Sequence, residues 1–405
     1  MLLRFRVTNH HSIKDTQELS MVAANLKGEG GHVMDGPGGL KVLPVALIYG
    51  ANASGKSNVA DAIDCMRLNA LLSEAGPAPQ QVLKRRPFSL DSESAQANSA
   101  FEMDFIQAGV RHQYGFEISD HLFVSEYLNS LPNGRVQVLF ERKGSDFQFG
   151  RHLQGKNRVI AELTRPDRSF VSSARRSNHT QIINIFEFFR FITYSKDICF
   201  NAIDIFKLFR DEEIDKKIIG FLRKTGTGII EVRKKSGVSI AADEMTQALR
   251  DLPPHEISFV HKGQSGQEFP LAMRDESNGT RRLLVVLAQT FHALEHGSLL
   301  VIDEIDASLH PHACEAIIAM FSSAATNPKG AQLICTTHDT NLLRSNFLRR
   351  DEAWFTEKNE EGVTSLYPLS DFHLRHTDDF ERAYLQGRFG ATPLSGSVSE
   401  LILAD

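Results

Sequence analysis

The stretch from Leu47 to Asn58 reads LIYGANASGKSN: a short apolar run, then glycine and small residues, then a lysine and a serine. The run Val45–Tyr49 is continuously apolar, which predicts a buried strand. The following Ser54–Met66 places apolar residues on one face at helical spacing, which predicts a helix. The sequence therefore predicts a strand, a glycine loop and a helix in immediate succession.

The segment Gly50–Ser57 (GANASGKS) matches G-x-x-x-x-G-K-[S/T], the phosphate-binding P-loop, at every fixed position. Glycine lets the backbone close around phosphate, and the N–H groups of the loop and the helix N-terminus favour an anion. Lys56 would add a positive charge at the β- and γ-phosphates, and the Ser57 hydroxyl would ligate Mg²⁺. We therefore predict a nucleoside triphosphate site with these contacts: Gly50, Ala51, Asn52, Ala53, Ser54, Gly55, Lys56, Ser57 and Asn58.

The composition of the 405 residues is that of a globular protein, with 41% hydrophobic and 23% charged residues. The net charge of -5 argues against bulk attraction to nucleic acid, although a local basic patch stays possible. Four scattered cysteines give no support for a disulfide framework or a zinc site and fit a reducing cytoplasm. No apolar run approaches the ~20 residues of a membrane span, and the alternating N-terminus predicts a strand, so we expect a cytoplasmic protein.

A second apolar run, Ser298–Ile302, ends in an acidic pair. A strand that delivers two carboxylates at its C-terminal end is the Walker B arrangement. Asp303 would hold Mg²⁺, and Glu304 would orient or deprotonate the attacking water. An acidic pair after a strand is weak evidence alone, so its meaning depends on the surrounding sequence.

Two further segments flank this pair. AQLICTTHD (331–339) predicts a third buried strand that ends at His338, and DESNGTRRLL (275–284) opens a predicted helix that runs through His292. Ser277 and the backbone near Gly279 would offer hydroxyl and N–H donors at the start of that helix, which is a favourable place for an anion.

Together these pieces resemble the ATP-binding-cassette class of ATPases, in the branch that contains the RecF, SMC and OLD proteins. The resemblance covers roughly residues 1–150 and 265–350, with the signature at Glu276–Arg282, the D-loop at Ser308–Pro311 and the switch histidine at His338. It implies an α/β P-loop NTPase fold with a mixed β-sheet lobe, a RecA-like lobe and a helical insertion. It also implies ATP hydrolysis with Mg²⁺ and the following residues beyond the P-loop: Glu304 and His338 in catalysis, Ser57 and Asp303 at the metal, and Ser277, Asn278, Gly279 and Thr280 at the nucleotide.

The resemblance also predicts the assembly. In this class the signature caps the γ-phosphate bound by the opposite subunit, and this chain carries one P-loop and one signature. We therefore expect a head-to-tail homodimer or a higher homo-oligomer. The simpler interpretation of ESNGT is a helix N-cap at Ser277 or Asn278, and the two roles can coexist.

The N-terminal line, LLRFRVTNHHSIKDTQELSMVA, resembles the opening of the same ATPases: a strand, an Asn-x-x-Ser turn and a second strand. This implies that Asn9 and Ser12 lie near the nucleotide, although a polar hairpin turn alone would also favour these residues. The glutamine of the family's Q-loop is not identified, and the candidates are Gln80, Gln81 and Gln107.

The middle of the chain predicts hairpins over 101–118 and 123–140, the second turning at Pro132–Gly134, and then a helical, Phe-rich insertion. We expect an ATPase lobe at 1–150, a mainly helical insertion at 151–264 and a second ATPase lobe at 265–405. The interruptions are a loop at 75–81 and a break at 252–254. The aromatic residues of 153–236 are the expected surface for a partner protein.

Three basic clusters, at 84–86, 175–176 and 233–235, are either a DNA-binding face or ordinary solvated charge. His310 and His312 suggest a structural or dimer-contact role better than a metal site, because the sequence offers no third ligand nearby.

The segment 378–393, DDFERAYLQGRFGATP, resembles the tail of standalone bacterial anti-phage ATPases of the RloA and AbiL kind. The 67 residues after His338 lack the acidic cluster of a TOPRIM nuclease. The resemblance thus implies an ATPase that controls a separately encoded effector, a nuclease or toxin. The alternative is a RecF-like repair ATPase that acts directly on DNA. A transporter subunit fits worst, because the P-loop and signature lie more than 200 residues apart.

Overall fold

A computed structural model describes residues 1–26, 31–71, 83–196, 212–234, 257–263, 265–344, 348–373 and 378–392. Several predicted features lie outside these residues: the loop at 75–81 with Gln80 and Gln81, the break at 252–254, and Lys235 of the third basic cluster.

The described strands are β1 (Leu2–Thr8), β2 (Gln17–Ser20), β3 (Met34–Asp35), β4 (Lys41–Val42), β5 (Val45–Gly50), β6 (Ser99–Gln107), β7 (Val110–Ile118), β8 (Phe123–Leu131), β9 (Gln137–Lys143), β10 (Asp146–Phe149), β11 (Thr193–Ser195), β12 (Ile229–Lys234), β13 (Ile257–Lys262), β14 (Glu268–Ala272), β15 (Leu299–Ile302), β16 (Gln332–Thr336), β17 (Ala353–Lys358) and β18 (Thr364–Pro368). The described α-helices are α1 (Lys56–Leu71), α2 (Ser92–Gln96), α3 (Asn157–Leu163), α4 (Phe170–Arg176), α5 (Ile182–Arg190), α6 (Glu212–Lys224), α7 (Asn278–His296), α8 (Pro311–Phe321) and α9 (Phe380–Leu385).

One sheet is antiparallel throughout, with the strand order β10-β9-β8-β7-β6-β1-β2. The two hairpins predicted from alternation are confirmed as β6–β7 and β8–β9, and the second turns through a short 3-10 segment at Pro132–Gly134. The predicted N-terminal pair is β1–β2.

The second sheet carries the predicted nucleotide strands, in the order β11-β15-β16-β5-β17-β18. Its first five strands run parallel, and β18 pairs antiparallel with β17. Every residue of β5, β15 and β16 is buried, as continuous apolar runs predict for strands covered on both faces. Because these strands are parallel, their C-terminal ends meet at one edge, to which the P-loop, the acidic pair and His338 are attached.

This parallel sheet separates two apolar clusters. Ala46 and Ile48 of β5 face the cluster that holds α1 and the antiparallel sheet, whereas Val45, Leu47 and Tyr49 face the cluster that holds α7 and α8. The alternation follows from the two-residue period of a strand. Helix α1 thus lies between the two sheets, which fits the expected α/β P-loop fold.

The aromatic residues of the insertion are largely buried, so the expectation that they form a partner surface is wrong for the described part. The ring of Phe188 stacks on Phe105 of β6 with centroids 4.0 Å apart, and Phe170 and Phe189 are fully buried. The backbone N–H of Phe170 donates to the buried carboxylate of Glu126 on β8 at 2.9 Å. These phenylalanines therefore fill the core beneath the antiparallel sheet.

The insertion also supplies a strand to the parallel sheet, since β11 pairs with β15. In the rest of its described part, α6 packs beside α7, and β12 pairs with β13, which pairs in turn with β14. The domain boundaries at 151 and 264 stay a prediction. Among the described residues, no helix is long and apolar enough to cross a membrane.

Candidate functional site at the edge of the parallel sheet

The P-loop backbone adopts a shape that its glycines make possible. Gly50 has φ 152° and Gly55 has φ 111°, both in the region that side chains disfavour. A Cβ on Gly50 would lie 2.5 Å from Ser54 Oγ and 2.6 Å from the carbonyl oxygen of Thr356, and one on Gly55 would collide with Thr364. The loop is therefore closely packed on its outer side, and α1 begins directly after it at Lys56.

Lys56 lies within the loop and is 5% exposed. Its Nζ donates to the carbonyl oxygens of Gly50 and Ala51, both at 2.9 Å. Burial lowers the pKa of Lys56, whereas the nearby carboxylates of Glu304 and Asp303 oppose that shift. The P-loop lysine and the predicted acidic pair therefore lie within electrostatic range of one another.

The acidic pair is oriented by Thr336 of β16, which the sequence analysis did not identify. The Thr336 hydroxyl donates to Asp303 Oδ1 at 2.7 Å and accepts the N–H of Glu304 at 2.7 Å. Asp303 is buried, and Glu304 is exposed with a left-handed φ of 53°. The two carboxylates thus leave β15 in different directions, one held inside the sheet edge and one facing outward.

His338 follows β16 at the same edge. Its backbone N–H donates to Asp306 Oδ2 at 3.1 Å, so the turn after the acidic pair holds His338 in place. Burial and the charge of Lys56 lower the pKa of His338, while Asp306 and Glu304 oppose the shift. Asp306 was not predicted, although its place three residues after Asp303 is a signal that could have identified it.

The signature residues cap their helix. Ser277 Oγ accepts the N–H of Thr280 at 3.1 Å, which confirms the N-cap interpretation. Asn278 Oδ1 accepts from Arg281. A Cβ on Gly279 would lie 3.0 Å from the carbonyl oxygen of Ser308 in the D-loop. Among the described contacts these residues meet their own helix and the D-loop, and none meets the P-loop of the same chain.

Arg282 connects the signature helix to the acidic pair. Its side chain is buried, and its Nη2 donates to the carbonyl oxygen of Asp303 at 3.1 Å. This hydrogen bond joins the first turns of α7 to the end of β15.

Two N-terminal predictions have different outcomes. Ser12 Oγ accepts from Asn58 at the start of α1 at 2.6 Å, so Ser12 lies next to the P-loop. Asn9 is buried, and its side chain bonds the backbone of Ser94 and Phe88, which makes it a structural residue of the turn.

Gln107 does not fit a Q-loop glutamine. It ends β6 beside the residue pair Ile106 and Met1, whose backbones bond at 2.7 Å. Strands β1 and β6 are antiparallel, so the end of β6 lies beside the start of β1. Asn9 and Ser12 follow the other end of β1, and Gln107 is therefore at the opposite end of the antiparallel sheet from them.

The C-terminal segment lies against the residues that follow His338. Thr340, two residues after His338, donates its hydroxyl to Glu381 of α9 at 2.7 Å, and Arg344 forms an ion pair with the same carboxylate. This segment belongs to the 378–393 stretch that the sequence analysis compared with defence ATPases.

The described arginines of the basic clusters are engaged within the chain. They pair with carboxylates as follows: Arg85 with Asp120, Arg86 with Asp61, Arg175 with Glu187, and Arg233 with Glu231 and Glu268. These pairs support the interpretation of ordinary solvated charge, and DNA binding stays a prediction.

His310 has a structural role as the N-cap of α8. His310 Nδ1 accepts the N–H of His312 at 3.2 Å and caps α8. Elsewhere in the described chain, His10 and His11 converge on Asp61, with Nε2–Oδ2 distances of 3.0 and 3.3 Å. The guanidinium of Arg86 lies 3.3 Å from the same carboxylate, so one ion pair and the histidine contacts account for this group.

Comparison with known proteins identifies a family. The sequence profile described as "AAA domain, putative AbiEii toxin, Type IV TA system" matches residues 45–344, which contain the P-loop, the signature, the acidic pair and the switch histidine. No curated protein matches the chain. Among solved structures, an SMC head domain from Thermotoga maritima is similar over 91% of this chain and 98% of that one, with 14% identity and a TM-score of 0.41.

Proposed function

The chain belongs to this AAA-domain family of ATPases, and we propose that it binds and hydrolyses ATP with Mg²⁺ and that ATP-driven dimerisation controls a separately encoded effector. We place this activity in the bacterial cytoplasm, in anti-phage defence, with a nuclease or toxin as the effector.

The observation that carries the proposal is the convergence of Lys56, Asp303, Glu304 and His338 at one edge of the parallel sheet. The P-loop glycines let the loop pack directly against Thr356 and Thr364 on its outer side, where a Cβ would collide, and α1 begins directly after the loop, so that its N-terminus favours an anion there. These groups fit a magnesium-bound triphosphate.

Each residue then has a distinct chemical task. Lys56 would neutralise phosphate charge, and the Ser57 hydroxyl and the buried Asp303 carboxylate would hold Mg²⁺, which would balance charge on the phosphates. The exposed Glu304 carboxylate would orient a water molecule and accept its proton, and His338 would donate a hydrogen bond to the reacting phosphate.

A second chain completes the site. In the described contacts the signature residues do not reach the P-loop of their own chain, yet they present a helix N-terminus beside an exposed D-loop. A head-to-tail dimer would place that N-terminus over the γ-phosphate of the partner, where the helix dipole favours an anion. Since ATP would bind the closed dimer better than the open one, ATP shifts the equilibrium toward closure.

Two observations support a separate effector: the description of the family and the reactive residues in the described part of the chain. The family description names a toxin of a toxin–antitoxin system, which supports a role beside a second protein. Apart from the ATP site, the described residues carry no cluster that we assign to a second reaction. A partner protein could therefore respond to whether the dimer is open or closed.

The test is co-expression of the chain with the neighbouring open reading frame, followed by pull-down and phage challenge. We expect co-purification, protection of cells, and loss of protection with Lys56→Ala in a chain that stays folded. Protection by the isolated ATPase, or toxicity of this chain alone, would contradict the division of labour. ATPase activity stimulated by DNA in the isolated chain would instead support the RecF-like alternative.

A further inference from the structure

The C-terminal hairpin β17–β18 forms the outer wall of the P-loop. Thr356 of β17 packs against Gly50, and Thr364 of β18 packs against Gly55, although more than 300 residues separate the two segments. Both threonines are fully buried. Neither was identified from the sequence, and the family resemblance assigns them no role.

Thr364 lies in a chain of side-chain hydrogen bonds whose direction can be deduced. Its hydroxyl is 2.8 Å from the carbonyl oxygen of Ser54, which can only accept, so Thr364 must donate there. The hydroxyl of Ser12 lies 2.7 Å from Thr364 Oγ1 and must therefore donate to it. Asn58 Nδ2 donates in turn to Ser12 Oγ at 2.6 Å. The order is Asn58 to Ser12 to Thr364 to the Ser54 carbonyl.

Thr356 takes part in a second, shorter chain. It donates to the carbonyl oxygen of Tyr49 at 3.2 Å, which leaves its oxygen to accept from Ser54 Oγ at 2.6 Å. The two chains thus end on carbonyl groups at both ends of the loop, that of Tyr49 before Gly50 and that of Ser54 before Gly55.

The hydrogen bonds to these carbonyl groups also orient the N–H of the next residue, because the carbonyl and that N–H belong to one peptide group. A trans peptide is planar, so the N–H of Gly55 points away from the side on which the Ser54 carbonyl is held. Thr364 is on the outer side of the loop, and the N–H of Gly55 is therefore directed inward. Such N–H groups form the phosphate cradle of a P-loop.

From this arrangement we propose that Thr364, with Ser12, positions the P-loop for the triphosphate and sets the affinity for ATP. The inference rests on the proposed function, because it assumes that the loop binds ATP. Thr364 is a positioning residue: it acts through the Ser54–Gly55 peptide and touches no reacting atom.

The test compares Thr364→Val with Thr364→Ser in the full chain. Valine keeps the shape and the preference for a strand but removes the hydroxyl, and serine keeps the hydroxyl. We expect Thr364→Val to raise the Kd for a fluorescent ATP analogue with Mg²⁺ about tenfold, since a buried carbonyl loses its donor. KM should rise with it while kcat changes less, and Thr364→Ser should stay within about twofold of wild type.

The matched control is Ser365→Ala, which removes an exposed hydroxyl from the adjacent position of the same strand. The ATP-induced rise in Tm is measured for each variant, because a difference with and without ATP cancels a change in intrinsic stability. If Thr364→Val does not fold, Ser12→Ala tests the same chain from its other end, with an expected rise in Kd of about threefold.

An unchanged Kd for Thr364→Val, or equal effects of Thr364→Val and Ser365→Ala, would overturn the inference alone. Failure of the wild-type chain to bind ATP would overturn the proposed function and this inference with it.

Discussion

Thr336 Oγ1 lies 2.7 Å from Asp303 Oδ1, and the same hydroxyl accepts the N–H of Glu304. One buried side chain on β16 therefore orients both members of the acidic pair on the neighbouring strand. A hydroxyl can donate one bond and accept another at the same time, which neither valine nor a carboxylate of the same size can do. The geometry of the proposed metal ligand thus depends on a residue that no nucleotide motif contains.

Replacing Thr336 by valine should lower kcat for ATP hydrolysis about tenfold and shift the Mg²⁺ dependence to higher concentration, because the Asp303 carboxylate loses the bond that orients it. Thr336→Ser keeps the hydroxyl and should retain most of the activity. Phosphate release measured across a Mg²⁺ titration checks both variants. A Thr336→Val enzyme with the wild-type rate and Mg²⁺ dependence would contradict the assigned role.

Lys56→Ala should abolish ATP binding, with Kd raised about 100-fold or more, because the main cation at the β- and γ-phosphates is lost. The lysine bonds only loop carbonyls among the described contacts, so circular dichroism and Tm without nucleotide should change little. Isothermal titration with ATP and Mg²⁺ makes the measurement. If Lys56→Ala bound ATP with the wild-type affinity, the P-loop would not be part of the ATP site.

Glu304→Gln should bind ATP like wild type but hydrolyse it about 100-fold more slowly, because an amide cannot accept the proton of the attacking water. The hydrogen bond from the Glu304 N–H to Thr336 does not involve the Glu304 side chain, so the loop geometry should persist. With hydrolysis stalled, ATP should accumulate a dimer that light scattering detects. Wild-type turnover of Glu304→Gln would show that another group serves as the base.

Ser277 has two separable roles, as a helix cap and as a contact to the partner's phosphate. Ser277→Ala should lower the free energy of unfolding by about 1 kcal/mol through loss of the cap. Ser277→Asp keeps a capping oxygen, so the chain should stay stable, but its negative charge should prevent ATP-dependent dimerisation.

The corresponding measurement is light scattering of these variants in the Glu304→Gln background. Ser277→Arg, which adds bulk and a cation at the same place, should also block closure. When Ser277→Arg is mixed with Lys56→Ala, each mixed dimer should have at most one working ATP site. Normal ATP-dependent dimerisation of Ser277→Asp would argue against a contact in trans.

The pH dependence of stability should include a contribution from His112. Burial lowers its pKa to about 4, below the ~6.5 of an unfolded histidine. Its neutral form is favoured in the folded chain, so the stabilisation is complete above pH ~6.5 and is lost as the pH falls toward 4. His112→Phe should flatten the unfolding free energy between pH 6.5 and 4, by at most about 3 kcal/mol, whereas replacing the exposed His121 by alanine should not.

The sequence by itself determined the local units of the fold. The buried strands β5, β15 and β16, the two hairpins of the antiparallel sheet and the cap at Ser277 were all predicted, because each depends on periodicity or spacing within a short segment. The P-loop and the acidic pair were identified for the same reason: the residues that define each motif are close together in the sequence.

Only the tertiary structure decided how distant segments complete the site. Thr336 and Thr364 act through contacts between strands and loops that are distant in the sequence, and no local pattern distinguishes such a threonine from any other. The burial of Phe188 and Phe189 against Phe105 could not be predicted from the sequence either, because an aromatic-rich helix has the same sequence whether it faces a core or a partner. Which side chains meet depends on the packing of the two sheets, and that packing brings residue 364 to residue 54.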